Sequence, residues 1–369
     1  MLVATTVAQA GSSLTRSLLQ DRILVATSAA SVSNAVGEVV DSGFSGIVIV
    51  DEQCARAVRT VKGVYGSRLL VGKDTTSYLR YTATPSEPMY LPSILGAGSL
   101  SLAQCMRYQL ADGADFALTP TGRVRDLATL DAAVTAANAL VTPGVVIAAP
   151  VPARMLTGAE RADMVTILER SRHPVALIVT GQFDPFAAQA VADGLRVVTA
   201  SAADVFLHRS DFAVFEALAH GGLGGAIGYL ASLRHTVTGR RPAKTRKMPP
   251  DRSPIVLLPE IDSFRHQAVY EPWFRNVRPP ICVLPGCCGR DLTTLTNTHA
   301  DHAVANLHNL RAWLPLGAQL TTTPVAERRA WLHAYRRTVE AAYADLRRRT
   351  RIRTITMDDS QRAWLTLGS

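Results

Sequence analysis

Short apolar and β-branched runs recur along the first two thirds of the chain, and a segment with helical periodicity follows each of them. The runs are RILVAT (22–27), GIVIVD (46–51), RLLVGK (68–73), DFALTP (115–120), GVVIAAP (144–150), PVALIVT (174–180), DVFLHR (204–209) and GAIGYLAS (225–232). Because they are apolar on both faces, they predict parallel strands covered by helices. Eight such units predict an α/β fold, the TIM (β/α)8 barrel of about 250 residues. A doubly wound open sheet is the alternative, and LRVVTA (195–200) predicts a ninth strand that does not fit the barrel.

The segment SDFAVFEALAHGG (210–222) predicts where one strand ends and its helix begins. Ser210 can cap the helix and Gly221 can end it, and the apolar residues between them recur with the period of a helix. The preceding strand then ends near Arg209, at the carboxyl rim where the chemistry of TIM barrels takes place. The same reasoning predicts that further polar residues lie near this rim: Lys73, Asp74, Thr119, Thr121, Asp184, His208, Ser232, Arg234 and His235.

The composition changes after the predicted barrel, which spans residues 20–237. A basic, proline-containing linker covers 238–254, a small module that contains clustered cysteines covers 255–320, and a basic helical segment covers 321–369. In that last segment one helix face is apolar, and its residues are Tyr335, Val339, Ala342, Tyr343 and Leu346. The fold prediction is therefore a TIM barrel with a small C-terminal zinc-binding subdomain and a terminal helix.

Composition narrows the classes of function. No apolar run reaches the roughly 18 residues of a membrane-spanning helix, so we expect a cytoplasmic protein without a membrane partner. The formal charge of +9 makes a polyanionic partner plausible, with basic residues concentrated in 238–254 and 328–353. The alternative is that these two segments are a solvated loop and a solvated helix face. Five cysteines do not suggest a disulfide framework, and Cys54 and Cys105 are expected to be buried thiols.

The other three cysteines lie close together in CVLPGCCGR (282–290). A structural zinc site needs four soft or borderline ligands in a tetrahedron, about 2.0–2.3 Å from the metal. Cys282, Cys287 and Cys288 can supply three of them. For the fourth ligand, three histidines follow in the sequence: His299, His302 and His308. The alternative is a loop that contains reduced thiols and no metal.

A cysteine turn followed by a helix with the sequence His-Asn-Leu-Arg, after eight β/α units, resembles the tRNA-guanine transglycosylase superfamily. That family includes relatives that insert deazaguanine bases into DNA. Its zinc module reads C-x-C-x-x-C and is followed by the histidine of an I-H-N-L-R segment. In this chain Leu284 occupies the middle cysteine place, next to Cys282 and Cys287, and Cys288 is a substitute ligand. The segment LHNLRAWL supplies His308, so the resemblance implies a structural Zn²⁺ held by these three cysteines and His308.

The resemblance also implies a reaction, namely base exchange of the queuosine or 7-deazaguanine type in tRNA or DNA. In the family an aspartate at the end of the eighth strand attacks the ribose C1′ carbon, and a second aspartate handles protons. Here Gly228 occupies the place of that nucleophile. We therefore consider Asp74 as nucleophile or proton acceptor and Asp211 as its helper. Substrate contacts would come from Arg209, Gly228, Arg234 and His235.

Two other functions stay open at this stage. The substituted nucleophile position favours a non-catalytic, nucleic-acid-binding subunit, and the resemblance implies a homodimer or a heterodimer with a related, active subunit. A third interpretation is an unrelated TIM-barrel enzyme acting on a phosphorylated metabolite. In that case LHRSD (207–211) or SLRH (232–235) would hold the phosphate in a small, deep pocket.

Overall fold

A computed structural model describes residues 12–94, 98–181, 184–201, 204–237 and 251–368. Eight parallel strands form the central sheet: β1 (Arg22–Thr27), β2 (Ile47–Val50), β3 (Val71–Asp74), β4 (Phe116–Leu118), β5 (Val145–Pro152), β6 (Val175–Gly181), β7 (Val205–Ser210) and β8 (Gly224–Gly228). Each strand pairs with the next, and β8 pairs with β1, where Ala26 lies opposite Gly228. That last pairing closes the ring. The predicted TIM barrel is confirmed, and the open sheet is excluded.

Helices follow the first seven strands in turn: α1 (Val32–Val39), α2 (Ala55–Tyr65), α3 (Leu102–Ala111), α4 (Leu127–Asn138), α5 (Gly158–Glu169), α6 (Gln189–Ala200) and α7 (Ala213–Ala219). Residues 12–19, before β1, are also helical, and Ser93–Ile94 and Gly98–Ser99 form a small antiparallel pair. None of the helices in the described ranges is long and apolar enough to span a membrane.

Two local predictions around α6 and α7 are wrong. The segment LRVVTA lies in α6, where Leu195 and Val198 are buried and Val197 is 40% exposed, so its apolar residues follow the period of a helix. Ser210 does not cap α7, because it is the last residue of β7 and the helix begins three residues later. Gly221 follows the end of α7 with φ of 101°, as expected for a residue that ends a helix.

The barrel interior is filled by the inward side chains of alternate strand positions. These residues are Leu24, Ala26, Val48, Val50, Phe116, Leu118, Val146, Ala148, Ala176, Ile178, Phe206 and Ala226. Gly72 makes room for the ring of Phe116, because a Cβ on it would lie 2.2 Å from the Cζ atom of that ring. Lys73 lies near the carboxyl end of β3, but the same alternation turns its side chain outward, where its Nζ lies 2.5 Å from Asp112 and does not face the barrel mouth.

The chain does not leave the barrel directly after β8. Residues 229–237, here called the mouth segment, cross the carboxyl end of the barrel. Thr236 and Val237 pair in parallel with Thr180 and Gly181 at the end of β6, so the segment passes over β7 on its way. Leu233 from this segment packs with the inner core. The mouth of the barrel is therefore covered on the side of β6 to β8.

The rest of the chain forms the hairpin β9 (Ile255–Leu258) and β10 (Ser263–His266), followed by α8 (Gln267–Phe274), α9 (His299–Thr322), α10 (Arg328–Thr350) and α11 (Asp359–Leu367). Helix α9 returns to the barrel and packs against α1 and α7. At Gly317, a Cβ would lie 3.3 Å from Ile23 of β1, so α9 approaches the barrel closely there. It takes the place of the eighth helix of the barrel, and the hairpin and cysteine turn lie between β8 and that helix.

A buried charge cluster docks α10 onto the barrel. Glu216 of α7 pairs with Arg196 of α6 at 2.9 Å and with Arg336 of α10. The apolar face predicted for α10 is confirmed, since Val339, Tyr343 and Leu346 are buried. Two arginines are exceptions to the predicted basic solvent face, because Arg336 is buried against Glu216 and Arg328 is buried against Asp21. In the predicted basic linker, residues 238–250 lie outside the described part of the chain.

Candidate functional site

The three clustered cysteines and His308 come together in space. The ligand atoms of Cys282, Cys287, Cys288 and His308 all lie within 4.8 Å of one another. His308 Nδ1 is 3.3 Å from the Cys282 sulfur and 3.8 Å from the Cys287 sulfur. Ligands at about 2.0–2.3 Å from a zinc ion in a tetrahedron are separated by about 3.3–3.8 Å, so these two distances fit. This group can hold a metal ion, and its sulfur and imidazole donors are compatible with zinc.

A hydrogen bond from the second ring nitrogen of His308 orients the first one toward the cysteines. Its Nε2 lies 2.9 Å from the Leu257 carbonyl and donates to it, which directs the lone pair of Nδ1 toward the thiols. Burial lowers the pKa of His308, and a neutral imidazole is the form that binds metals. His302 instead lies 3.1 Å from Asn297 Oδ1, away from the cysteine turn.

The two polar neighbours of His308 in the HNLR sequence fasten the metal group to the rest of the protein. Asn309 bonds to strand β9 through both ends of its amide, to the Leu257 N–H at 2.6 Å and to the Ile255 carbonyl at 2.8 Å. Arg311 donates to both carboxylate oxygens of Glu38 on α1 and to the Gly286 carbonyl in the cysteine turn. The motif therefore joins the metal group, the hairpin and the barrel. Elsewhere, Cys54 and Cys105 are buried free thiols, as predicted.

Asp74 lies at the end of β3, inside the mouth of the barrel, and is only 2% exposed. Its carboxylate accepts from Tyr78 Oη at 2.6 Å, from His208 Nε2 at 3.0 Å and from the Thr76 N–H at 2.8 Å. Burial alone would raise the pKa of Asp74, but these donors outweigh it, so the pKa lies below its usual value. The group is an ionised carboxylate with its hydrogen bonds made, and the buried Tyr78 ring lies beside it.

Arg209 belongs to the same network. Its Nη1 lies 3.3 Å from Tyr78 Oη, and its Nη2 donates to the Ser232 carbonyl of the mouth segment at 2.8 Å. Gly228 lies directly below this segment. A Cβ on Gly228 would lie 2.4 Å from the Leu233 carbonyl carbon and 2.5 Å from the Arg234 nitrogen. No side chain fits at Gly228 with this backbone, so the place that the resemblance implies for the nucleophile is closed.

A second polar region lies outside the mouth segment. A cavity of about 290 Å³, here called the rim cavity, lies between the carboxyl ends of β6 to β8 and the C-terminal hairpin and helices. The lining residues that matter for its chemistry are Asp184, Asp211, Arg234, His235, Phe264 and Gln361. Of the predicted site residues, Asp211, Arg234 and His235 are thus brought together here. Asp74 and Arg209 lie in the mouth network, and Gly228 lies under the mouth segment.

Five carboxyl groups line this cavity, and two of them, Asp184 and Asp211, have different protonation behaviour. Asp211 follows β7 directly and lies 3.2 Å from His235 Nε2, which overcomes the effect of burial and keeps the pKa of Asp211 low. Burial and the charge of Asp211 raise the pKa of Asp184, which follows β6, to about 6. The pKa of His235 is raised, because the attraction of Asp211 outweighs burial. One carboxylate and one carboxyl that protonates near pH 6 suit general acid chemistry beside an anion.

Sequence reasoning placed Asp184 at the rim but did not make it a site residue, and it missed Phe264 and Gln361 altogether. Phe264 lies on β10 and Gln361 on α11, and both reach the cavity because the C-terminal elements dock on the barrel. Neither residue belongs to a local motif. A signal was present only for Asp184, which follows a predicted strand in the same way as Asp211.

No known family model matches this chain, and no curated protein matches it. Among solved structures it is similar to a putative lyase/mutase from Burkholderia cenocepacia, with 15% identity over 63% of this chain and 82% of that chain, and a TM-score of 0.32. It is also similar to the carboxyl transferase domain of Rhizobium etli pyruvate carboxylase, with 12% identity over 97% of this chain and a TM-score of 0.36. The chain spans 62% of the length of that second structure. Similarity this low says nothing about function.

Proposed function

We propose that this chain is a nucleic-acid base-exchange enzyme of the transglycosylase type, and that Asp211 and Asp184 in the rim cavity are its reacting carboxylates. The observation that carries the proposal is their position. They follow neighbouring barrel strands, at the end where TIM-barrel chemistry takes place, and they line one cavity. A glycosidic displacement needs one carboxylate near the sugar carbon and one acid near the leaving group.

The reaction would proceed in two displacements. The Asp211 carboxylate attacks C1′ of a nucleotide, the bond from C1′ to the base nitrogen breaks, and the protonated Asp184 gives its proton to the leaving base. The incoming base then attacks C1′, the bond to Asp211 breaks, and Asp184 takes the proton that the incoming nitrogen loses. His235 favours the ionised form of Asp211 before the first displacement and after the second.

Asp74 has a positioning role in this proposal. Its carboxylate is enclosed by Tyr78, His208 and the backbone of Thr76, so a substrate would reach it only after these contacts had opened. Asp211 borders the cavity without such a rearrangement. The geometry therefore favours Asp211 as the nucleophile and Asp74 as the anchor of the mouth network.

We further propose that the metal held by the three cysteines and His308 is zinc and that its role is structural. When bound, zinc crosslinks the cysteine turn to helix α9, and it takes no part in the displacements. His308 and Asn309 bond to β9, whose partner strand β10 carries Phe264 to the rim cavity. The metal group thereby positions one wall of the proposed active site.

The nucleic acid, tRNA or DNA, would lie along the basic end of α10. Arg348, Arg351 and Arg353 are exposed there, and the chain continues from them into Asp358 and Gln361 beside the cavity. Neutralising Arg351 and Arg353 together should weaken binding and make it less dependent on salt. A homodimer, or a heterodimer with a related subunit, and a cytoplasmic location remain predictions.

The direct test measures incorporation of labelled guanine and of a labelled 7-deazaguanine into tRNA and into DNA. Asp211→Asn should lower the rate by about 10³-fold or more, because the neutral amide cannot form the covalent intermediate. Asp163→Asn, an exposed position on α5, is the matched control and should leave the rate unchanged. Equal rates in Asp211→Asn and the wild type would remove Asp211 from the mechanism.

A non-catalytic nucleic-acid-binding subunit is the second candidate, and the closed position at Gly228 favours it. Under this alternative the chain would bind nucleic acid in a salt-dependent way and incorporate no base by itself. Incorporation would appear only after an active, related subunit is added, and Asp211→Asn would leave that activity intact.

A further inference from the structure

We propose that the rim cavity is a receptor for a phosphate ester and that the guanidinium of Arg234 receives the phosphate. This inference names the substrate class for the proposed function and rests on it for the location of the reaction. The binding itself can be tested without any turnover.

Arg234 is a buried cation with most of its hydrogen-bonding capacity unused. It is 4% exposed and lines the rim cavity. Its Nε donates to the Gly228 carbonyl at 3.2 Å, and its guanidinium lies 3.7 Å from the centre of the Phe264 ring. In the described part of the chain, Nη1 and Nη2 of Arg234 have no hydrogen-bond partner, and no carboxylate oxygen lies within 4.0 Å of the group. The stacked ring and the Nε bond hold the free edge in a fixed orientation.

The other cations around the cavity already have acidic partners. His235 pairs with Asp211, Arg265 pairs with Asp358, and Arg336 pairs with Glu216. Asp211 is the acid that acts on Arg234, but it does so from beyond ion-pair distance while it contacts His235 and the Ala213 N–H. Burial therefore outweighs its attraction and lowers the pKa of Arg234 to about 10. A buried guanidinium without a contacting carboxylate is stabilised by any anion that enters the cavity.

The geometry of the free edge favours phosphate. The two terminal nitrogens of a guanidinium form a planar fork that bonds two oxygens of a phosphate at once. Gln361 adds a second requirement. It is 8% exposed and lines the same cavity, its Nε2 donates to the Asp262 carbonyl, and its Oε1 has no hydrogen-bond partner among the described residues. The ligand should therefore carry a hydroxyl or an N–H donor as well as the phosphate, as a nucleotide or a sugar phosphate does.

The cavity volume of about 290 Å³ is at the lower end of the range of roughly 300–1,000 Å³ for ligand sites. It can take one nucleotide unit or one sugar phosphate. The phosphate can thus belong to a nucleic-acid backbone or to a free monoester, and the choice of probes separates these two sources.

The experiment measures binding to the full chain by calorimetry, with guanosine, guanosine monophosphate, ribose 5-phosphate and a short oligonucleotide as probes. The phosphorylated probes should bind the wild type, and guanosine should bind at least tenfold more weakly than its monophosphate. Arg234→Gln should weaken binding of the phosphorylated probes about 10- to 100-fold, as expected for losing a charged hydrogen-bond pair. Arg337→Gln, on the exposed side of α10, is the matched control and should bind like the wild type.

The unliganded proteins provide a second measurement. An arginine kept for ligand binding is costly without its anion, so Arg234→Gln should unfold at the same temperature as the wild type or at a higher one. If Arg234→Gln fails to fold, Arg234→Lys keeps the charge and loses the fork, and it should still bind the phosphorylated probes at least several-fold more weakly. Equal phosphate affinity in the wild type and in these variants would overturn the proposal, as would equal affinity for guanosine and its monophosphate.

The probes also distinguish this proposal from the proposed function. Asp211→Asn should keep phosphate binding and lose base exchange. Phosphate binding without base exchange in the wild type would contradict only the proposed function. Tight binding of the oligonucleotide indicates a polymer substrate, whereas binding of only the free monoesters indicates a phosphorylated metabolite.

Discussion

The barrel mouth and the rim cavity both lie at the carboxyl end of the barrel and share strand β7, but they differ in how their charged groups are paired. In the mouth, Asp74 accepts three hydrogen bonds, and Arg209 donates to Tyr78 and to the mouth segment. Burial of Arg209 is outweighed by Tyr78 and Asp74, so its pKa lies above the usual value. In the rim cavity, Arg234 has no acidic partner at contact distance among the described residues, and burial lowers its pKa to about 10.

This difference favours the rim cavity, and not the mouth, as the region that binds a ligand. The charged groups of the mouth contact one another and so contribute to a specific fold, although Arg209 Nε and His208 Nδ1 have no hydrogen-bond partner among the described residues. Charged groups left unmatched beside a cavity cost stability and are typical of binding and catalytic sites. The mouth segment leaves no room for a side chain at Gly228, so the proposed site lies beside this segment and not beneath it.

The largest expected effect comes from removing the proposed zinc ion, which should affect the rim cavity and leave the barrel mouth intact. Binding of zinc by a Cys₃His group contributes on the order of 10 kcal/mol, which includes the folding that it supports. After chelation the cysteine turn should lose its order, and with it the support of the hairpin that carries Phe264. The rim cavity should then lose its affinity for guanosine monophosphate, while slow amide hydrogen exchange in β3 and β7 persists.

Cys287→Ser should act like the chelator, because it removes one ligand of the metal group. Cys105→Ser is the control, since Cys105 is a buried thiol far from this group in the sequence and is not part of it. Metal analysis of each variant accompanies the exchange measurement. If the metal-free protein still binds the nucleotide as tightly as the wild type, the metal group does not support the cavity.

The next largest effect is expected for Asp74→Asn, which should act on stability. The amide keeps the shape of the carboxylate but leaves His208 and Tyr78 without their anionic acceptor, and breaking a buried pair costs about 3–5 kcal/mol. Denaturant unfolding measures this loss. Because the pKa of Asp74 is depressed, its stabilisation is present above the unfolded-state pKa of about 3.9 and is lost as the pH falls through the lower folded-state value.

The Asp74→Asn variant also decides between Asp74 and Asp211 as the nucleophile. At a temperature where Asp74→Asn is folded, we expect it to retain phosphate binding and most of its base-exchange activity. Tyr78→Phe is the matched milder change, since it removes one of the three bonds to Asp74 and should cost about 1–3 kcal/mol. A folded Asp74→Asn protein without any base exchange would move the catalytic site back into the mouth.

Most of the barrel could be predicted from the sequence, because each strand is a local signal. A strand buried on both faces must be apolar at consecutive positions, and each of the eight runs contains or overlaps one strand of the barrel. LRVVTA misled because five of its six residues are apolar or β-branched, and only packing on the barrel shows that they follow the period of a helix. Ser210 misled because β7 continues through it before the chain turns.

The metal group could be predicted from a local sequence pattern, whereas the rim cavity could not. Three cysteines in seven residues and a histidine in an HNLR sequence form a local pattern, and the structure brings all four together. The rim cavity joins strand ends near Asp184 and Asp211 to Phe264 and Gln361, which come from later parts of the chain. No short pattern records such a meeting, because it depends on how α10 docks through the buried Glu216 and on how α11 packs against α6.

The smallest expected effect is a pH dependence that belongs to the rim cavity. Asp184 must be protonated to give a proton to the leaving base, and its pKa is raised to about 6 by burial and by the charge of Asp211. Base exchange should therefore decline by up to about tenfold per pH unit above pH 6. Asp184→Asn should lower the rate and abolish this dependence, and rate profiles between pH 5 and 8 measure both.

The pH dependence of the free energy of unfolding provides an independent check on the raised pKa of Asp184. A carboxyl group with a raised pKa binds a proton in the folded state at a pH where the unfolded chain has lost it. Its contribution to the free energy of unfolding is thus complete below about pH 3.9 and declines as the pH rises through about 6. The mouth has the opposite dependence, because the depressed pKa of Asp74 makes stability rise with pH over the acid range. If the decline near pH 6 persists in Asp184→Asn and disappears in Asp74→Asn, the roles proposed for the two regions are reversed.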